Sequence, residues 1–176
     1  MVAVSRRTGH HFSKQPVDRI RLLAGLGVQG DGHAGATVQH RSRVRRNPSE
    51  PNLRQVHLVH CELLDELASK GFTLGPGDIG ENVLVRDLDL LALPTGTKLA
   101  LGIAAVVELT GLRNPCVQLD RFADGLMAAV LRRGEDGSLL RLAGIMATVE
   151  SGGTVTPGDS IAVRLPEGPA VPLAPV

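Results

Sequence analysis

The chain is expected to be mainly β, a closed or nearly closed barrel-like fold with a few short helices at its ends. Three observations predict this. Apolar runs of strand length outnumber helical patterns by about seven to three. Glycine and proline, 21 and 11 of 176 residues, separate those runs as turn punctuation. The regular strand–helix alternation of a doubly wound sheet is missing.

One domain accommodates this length, and it is large enough to bury a core without staples. Aromatic residues make up only 2% of the chain, with no Trp or Tyr, so the core must be built from Val, Leu, Ile and Ala. A net charge of +1 and so few rings argue against a nucleic-acid surface. Two cysteines are too few for a disulfide framework, which points to a reducing, cytoplasmic setting. Met1–Lys14 carries no apolar signal core, and no run reaches the roughly 18 apolar residues of a membrane span.

Val17–Ala24 reads as a strand with Ile20 and Leu22 on one face. Five glycines follow within Gly25–Gly35. That stretch lacks the Gly-Lys-Ser/Thr ending of a Walker loop, and it does not run into a helix as a dinucleotide fingerprint would. It is either a wide turn or a bend that lets backbone approach a ligand, with Asp31 and His33 on one side if extended. Gln39–Arg46 carries four arginines and is followed by Pro48 and Pro51. A solvated loop is one reading; in the other, Arg41 and Arg43 share a face of an extended segment and clamp a phosphate.

Arg54–Val59 is a short strand. His60–Gly71 is the clearest helix, with Leu63, Leu64, Leu67 and Ala68 as its apolar stripe and Gly71 as its stop. Cys61 opens this helix and reads as a packed thiol. His57 and His60 do not complete a zinc set. Gly75–Asn82 turns into the strand Val83–Val85, and Glu81 and Asn82 there either satisfy backbone groups or line a site. Leu88–Leu93, Thr97–Leu101 and Ile103–Leu109 read as further strands. Helical spacing then runs from Leu119 to Leu131 with a break at Gly125. Leu139–Glu150 reads as one long strand, and Ser160–Leu165 as the last. The domain spans residues 1–165; Pro166–Val176, with four prolines, reads as an extended or loosely held tail.

The chemistry concentrates in Thr110–Asp120. Cys116 follows Pro115 where a strand gives way to a helix, and a thiol near a helix start is favoured as thiolate. Arg113 adds a positive charge three residues back. Soft-metal ligand, sulfur carrier and nucleophile all remain open for Cys116, as does a merely packed thiol. No His–Asp relay and no Cys-x-x-Cys spacing accompany it.

Four blocks occur in order: Gly30-Asp31-Gly-His33-Ala-Gly35, Pro76-Gly-Asp78-Ile-Gly80-Glu81-Asn82, Thr110-Gly-Leu-Arg113-Asn114-Pro115-Cys116, and Gly152-Gly-x-Val-x-Pro-Gly158-Asp159. Together they resemble the MOSC domain, the module named for the C-terminal part of molybdenum cofactor sulfurases, in its short stand-alone form. The resemblance implies a β-barrel-like fold and a site around Cys116. It implies a molybdenum cofactor (molybdopterin) with Cys116 as metal ligand and Arg113 beside it. By the same resemblance Asp31, His33, Arg41, Arg43, Glu81, Asn82 and Asn114 form the cofactor-binding set. The implied activity is an oxidoreductase acting on small N-oxygenated compounds. The chain shows no flavin, iron–sulfur or nicotinamide signature, so its electrons are expected from a separate electron-donor protein. The alternative is a sulfur-carrier or cofactor-delivery module holding a cysteine persulfide. Its partner would be a cysteine desulfurase, and pyridoxal phosphate would sit only on that partner. A homodimer or other partner completing the pocket is a further expectation.

Overall fold

The strand that carries the site, β8 (Ala105–Leu112), shows in its burial why a sheet forms here. Ala105, Val107, Leu109 and Gly111 are buried, while the alternate residues Val106, Glu108, Thr110 and Leu112 are partly exposed. A period of two puts one apolar face on the core and one towards solvent. The computed structural model describes residues 1–176 apart from the side chains of Arg41 and Ser42. Its main sheet has eight strands. They run in the order β13 (Ile161–Arg164), β7 (Lys98–Leu101), β8, β11 (Ile145–Ser151), β5 (Val56–His60), β6 (Val83–Val85), β1 (Ala3–Arg6) and β2 (Gln15–Val17). Mainly β is therefore the architecture found, but the sheet is a strongly curled half-barrel, open rather than closed. Smaller sheets are formed by β12 (Gly153–Val155), β3 (Ile20–Leu23) and β4 (Gly27–Val28), and by the hairpin of β9 (Leu131–Arg133) with β10 (Leu139–Arg141).

Neighbouring strands pair antiparallel except β5 and β6, which are parallel and joined through α2 (Cys61–Ser69). A parallel pair needs such a crossover. The apolar stripe of α2, Leu63, Leu64 and Leu67, packs with Val59, Leu84 and Ile79 and with Leu119 and Leu126. Leu119 belongs to α3 (Gln118–Phe122) and Leu126 to α4 (Leu126–Ala129). The opposite face of the sheet closes over Val4, Leu22, Leu58, Val83, Leu99, Val107 and Ile145. β5 is thus buried on both faces and reads as a continuous apolar run interrupted by His57.

Several expectations are corrected. Val17–Ala24 is two strands, because the chain leaves the main sheet at Asp18–Arg19 and enters the small one, although Ile20 and Leu22 do share the buried face. Leu88–Leu93 holds a single 3₁₀ turn, Leu90–Ala92, since the Asp89 carboxylate accepts the Ala92 N–H (3.2 Å) and offers the backbone an alternative to a ladder. The arginine run is not a loop but the short helix α1 (Arg41–Arg46). Leu139–Glu150 divides at Leu142–Gly144. Gly144 has φ +89°, and a Cβ there would overlap the Leu58 carbonyl. Pro166–Val176 is extended but not loose: Leu112 N–H donates to Ala174 O (2.8 Å), and Thr95 N–H to Val171 O (2.9 Å). Among the described residues no helix is long and apolar enough to cross a membrane.

Candidate functional site

Where β8 ends, the chain runs through Arg113–Val117 before α3 begins, and this loop faces a cavity of about 260 Å³. The Arg113 N–H donates to Gly144 O (2.9 Å), so the break in the long strand is what anchors the loop. Cys116 is half-buried on the cavity wall, its thiol 3.5 Å from Gln118 Oε1. It lies one residue ahead of Val117, the N-cap of α3.

Arg113 is 7% exposed, and its guanidinium stacks over the Phe12 ring at 5.6 Å. Its Nη1 lines buried space with no hydrogen-bond partner. Burial pushes Arg113 down to about 10, against the opposing pull of Cys116 and Glu81. An unpaired donor on a buried cation is costly, so a site that keeps one is built to receive an acceptor. Lys14, Arg43 and Arg54 also line the cavity; among the described residues no carboxylate side chain does. Arg54 is lowered by burial and by the neighbouring Arg43 charge. The cavity is cationic, with apolar lining from Phe12, Val38 and Met146.

Asp31 lies behind the wall rather than on it. Its carboxylate accepts from Lys14 Nζ (3.0 Å), Asn82 Nδ2 (3.1 Å), the His33 N–H (2.9 Å) and the Arg7 N–H (3.4 Å), with His33 Nδ1 3.3 Å away. Burial alone would raise this carboxyl, but the His33 hydrogen bonds and the Lys14 charge hold it below the usual carboxylate range. Lys14 in turn is lowered by burial, with Asp31 opposing. The glycine-rich turn therefore holds a junction that aims Lys14 and His33 into the cavity.

Asn82, 2% exposed, ties that junction to the sheet. Its Oδ1 accepts the His57 N–H (3.2 Å), and its Nδ2 also donates to Ser5 O (3.1 Å). Glu81 is fully buried and does not line the cavity; Oε1 accepts the Gly77 N–H, and Oε2 has no partner. Burial raises its pKa, the Gly77 bond opposing. Glu81 thus holds the Pro76–Gly80 turn, against which the Lys14 segment packs through Lys14 N–H to Gly77 O (2.8 Å). His57 Nε2 sits 2.8 Å from Ala143 O. Burial, helped by Arg113, depresses this imidazole well below its usual value, so it is neutral near pH 7.

The structure brings Cys116, Arg113, Asn114, His33, Arg43 and Asn82 together on the cavity. Asn114 Oδ1 also accepts from Arg141 Nε (3.1 Å). Arg43 pairs with Glu50 at 3.2 Å, and the side chain of Arg41 lies outside the described residues. Because the segment is helical, the extended-strand argument for a shared Arg41–Arg43 face does not apply. Sequence reasoning passed over Lys14, Arg54, Phe12 and His57 as cavity residues. Lys14 stands in a stretch with no motif, and only the contact with Asp31 singles it out. Among the described residues no cluster of three or more His, Cys, Asp or Glu could hold a metal ion.

A family model described as the MOSC domain matches residues 27–162, more than half of the chain. No curated protein matches. Among solved structures, the YuaD protein from Bacillus subtilis is similar over 94% of each chain at 25% identity, with a TM-score of 0.76. YiiM from Geobacillus stearothermophilus (16% identity, TM-score 0.68) is covered over 77% of its length by 97% of this chain. For YiiM from Escherichia coli the values are 19%, 0.63, 72% and 96%. At those identities the two YiiM structures show likeness of fold alone.

Proposed function

Since the chain belongs to the MOSC domain family, we propose that it binds a molybdenum-bearing pterin cofactor at the cationic cavity, with Cys116 as the one sulfur ligand from the protein. The observation that carries this reading is the unpaired, buried Arg113 Nη1 on the same cavity as the half-buried Cys116 thiol. The donor set fits the group. A thiolate suits molybdenum, and a cavity lined by four cationic side chains and, among the described residues, no carboxylate side chain suits a phosphate-bearing pterin.

When bound, the cofactor would supply two-electron oxygen-atom chemistry. The protein's part is binding and orientation. Arg113 Nη1 would donate to an anionic oxygen, and Lys14 and Arg54 would add charge from the two flanking segments. Phe12 shields the guanidinium from water. His33, with Nδ1 held by Asp31, would exchange a proton at Nε2. We assign to the site the reduction of small N-hydroxylated compounds. Two electrons from a separate donor protein and two protons break the N–O bond and release water.

Metal and pterin analysis of protein made in a cofactor-competent host tests the reading. Wild type is expected to carry both and Cys116→Ala to lose the metal. Wild-type protein with no more molybdenum or oxidised-pterin fluorescence than the variant would sink it. The half-exposed position of Cys116 in a loop also favours sulfur carriage by a persulfide. An added sulfur mass on Cys116 after incubation with a cysteine desulfurase, without pterin, would select that alternative.

A further inference from the structure

The segment after β13 carries proline at 166, 169, 172 and 175, every third residue. A period of three is that of the polyproline II helix, in which residues three apart share a face and no internal hydrogen bonds form. Leu173 and Val176 share such a face, and both turn inward: Leu173 packs against the core inside the sheet, and Val176 lines the cavity. Pro172, Ala174 and Pro175 are exposed.

Its attachments are few and local. Leu112 N–H donates to Ala174 O (2.8 Å), Val176 N–H donates to Leu112 O (3.2 Å), and Thr95 donates from its N–H to Val171 O (2.9 Å) and from its hydroxyl to Pro172 O (3.4 Å). Among the described residues no ion pair ties the segment down. Leu112, its principal anchor, immediately precedes Arg113, so the segment closes over the strand end that presents the site. Contact there requires Gly111: a Cβ at that position would overlap the Ala174 carbonyl oxygen and lie 2.6 Å from Val176 Cγ1. No positive φ demands glycine at 111, so the space for the strap is what the missing side chain provides.

We propose that Val171–Val176 is a detachable wall of the cavity, and that Val176 sets the size of molecule admitted to Cys116. The strap is held by bonds that can all be remade with water, while its inward face buries only two side chains. Its removal would uncover the core beside Leu173 but leave every strand of the three sheets in place, and it would widen the approach to the thiol. The proposal concerns access to Cys116 and holds whether or not a cofactor binds there.

Thiol reagents of graded size test it on full-length protein in a Cys61→Ser background, which leaves Cys116 as the one thiol. Wild type should react with methyl methanethiosulfonate much faster, relative to free cysteine, than with a bulky aromatic disulfide. Gly111→Ala, whose new Cβ displaces the strap, and removal of 171–176 should each raise the bulky-reagent rate about tenfold and leave the small-reagent rate within twofold. Circular dichroism and Tm establish that the variants are folded. A folded variant of either kind that keeps the wild-type ratio of rates overturns the proposal. If both fail to fold, Val176→Ala, which keeps every backbone hydrogen bond of the strap, decides: an unchanged ratio overturns it, and a raised bulky-reagent rate supports it.

Discussion

Asp31 shows how one carboxylate can matter to a site without touching its ligand. It joins Lys14, His33 and Asn82, and removing its charge leaves a buried ammonium without a counter-ion. Breaking a buried pair on one side costs about 3–5 kcal/mol. Asp31→Asn is therefore expected to lower stability by that order near pH 7, measured by urea denaturation. The folded-state pKa is depressed, so the stabilisation is present above the unfolded value near 3.8 and is lost as pH falls through the folded value. The gap between wild type and Asp31→Asn should accordingly narrow as pH drops below 3.8; a gap independent of pH would refute the ion-pair account. Glu81 has the opposite sign. Burial raises its folded-state pKa above 4.5, so its contribution is greatest below 4.5 and declines as pH rises through the folded value. Glu81→Gln keeps the acceptor for Gly77 and removes the ionisable group. Its stability relative to wild type should rise as pH goes from 4.5 towards 8.

At the scale of elements, α2 was the helix most legible in the chain, because four apolar residues at helical spacing followed by glycine are a local pattern. Leu67 is fully buried on that stripe and packs between the helix and the sheet. Leu67→Ala should cost about 2–5 kcal/mol, seen as a lower urea midpoint at unchanged slope, without altering metal or pterin content. A change of cofactor content at full folding would mean that α2 reaches the cavity. The arginine run and Leu88–Leu93 were misread for a shared reason. Neither has a period that separates strand from turn or short helix; the Asp89 carboxylate caps the turn at Leu90–Ala92, whereas the helix of the arginine run has no side-chain cap.

For the whole molecule, the cavity is assembled from parts distant in the chain: Lys14 before β2, His33 after β4, Arg54 before β5, Arg113 and Cys116 after β8, and Val176 from the strap. The sequence by itself determined what rests on local spacing: a β architecture, the apolar faces of β3 and α2, turns at glycine, and Arg113 and Cys116 at a strand end. Recognition of the MOSC blocks also came from sequence, through short motifs in order. Only the tertiary structure decided that the half-barrel stays open, that Asp31 and Glu81 brace the wall instead of lining it, and that Lys14 and Val176 belong to the site. The physical reason is one of range. Periodicity reports which face of an element is buried, whereas the meeting of distant segments depends on the order of strands in the sheet, which no local pattern encodes.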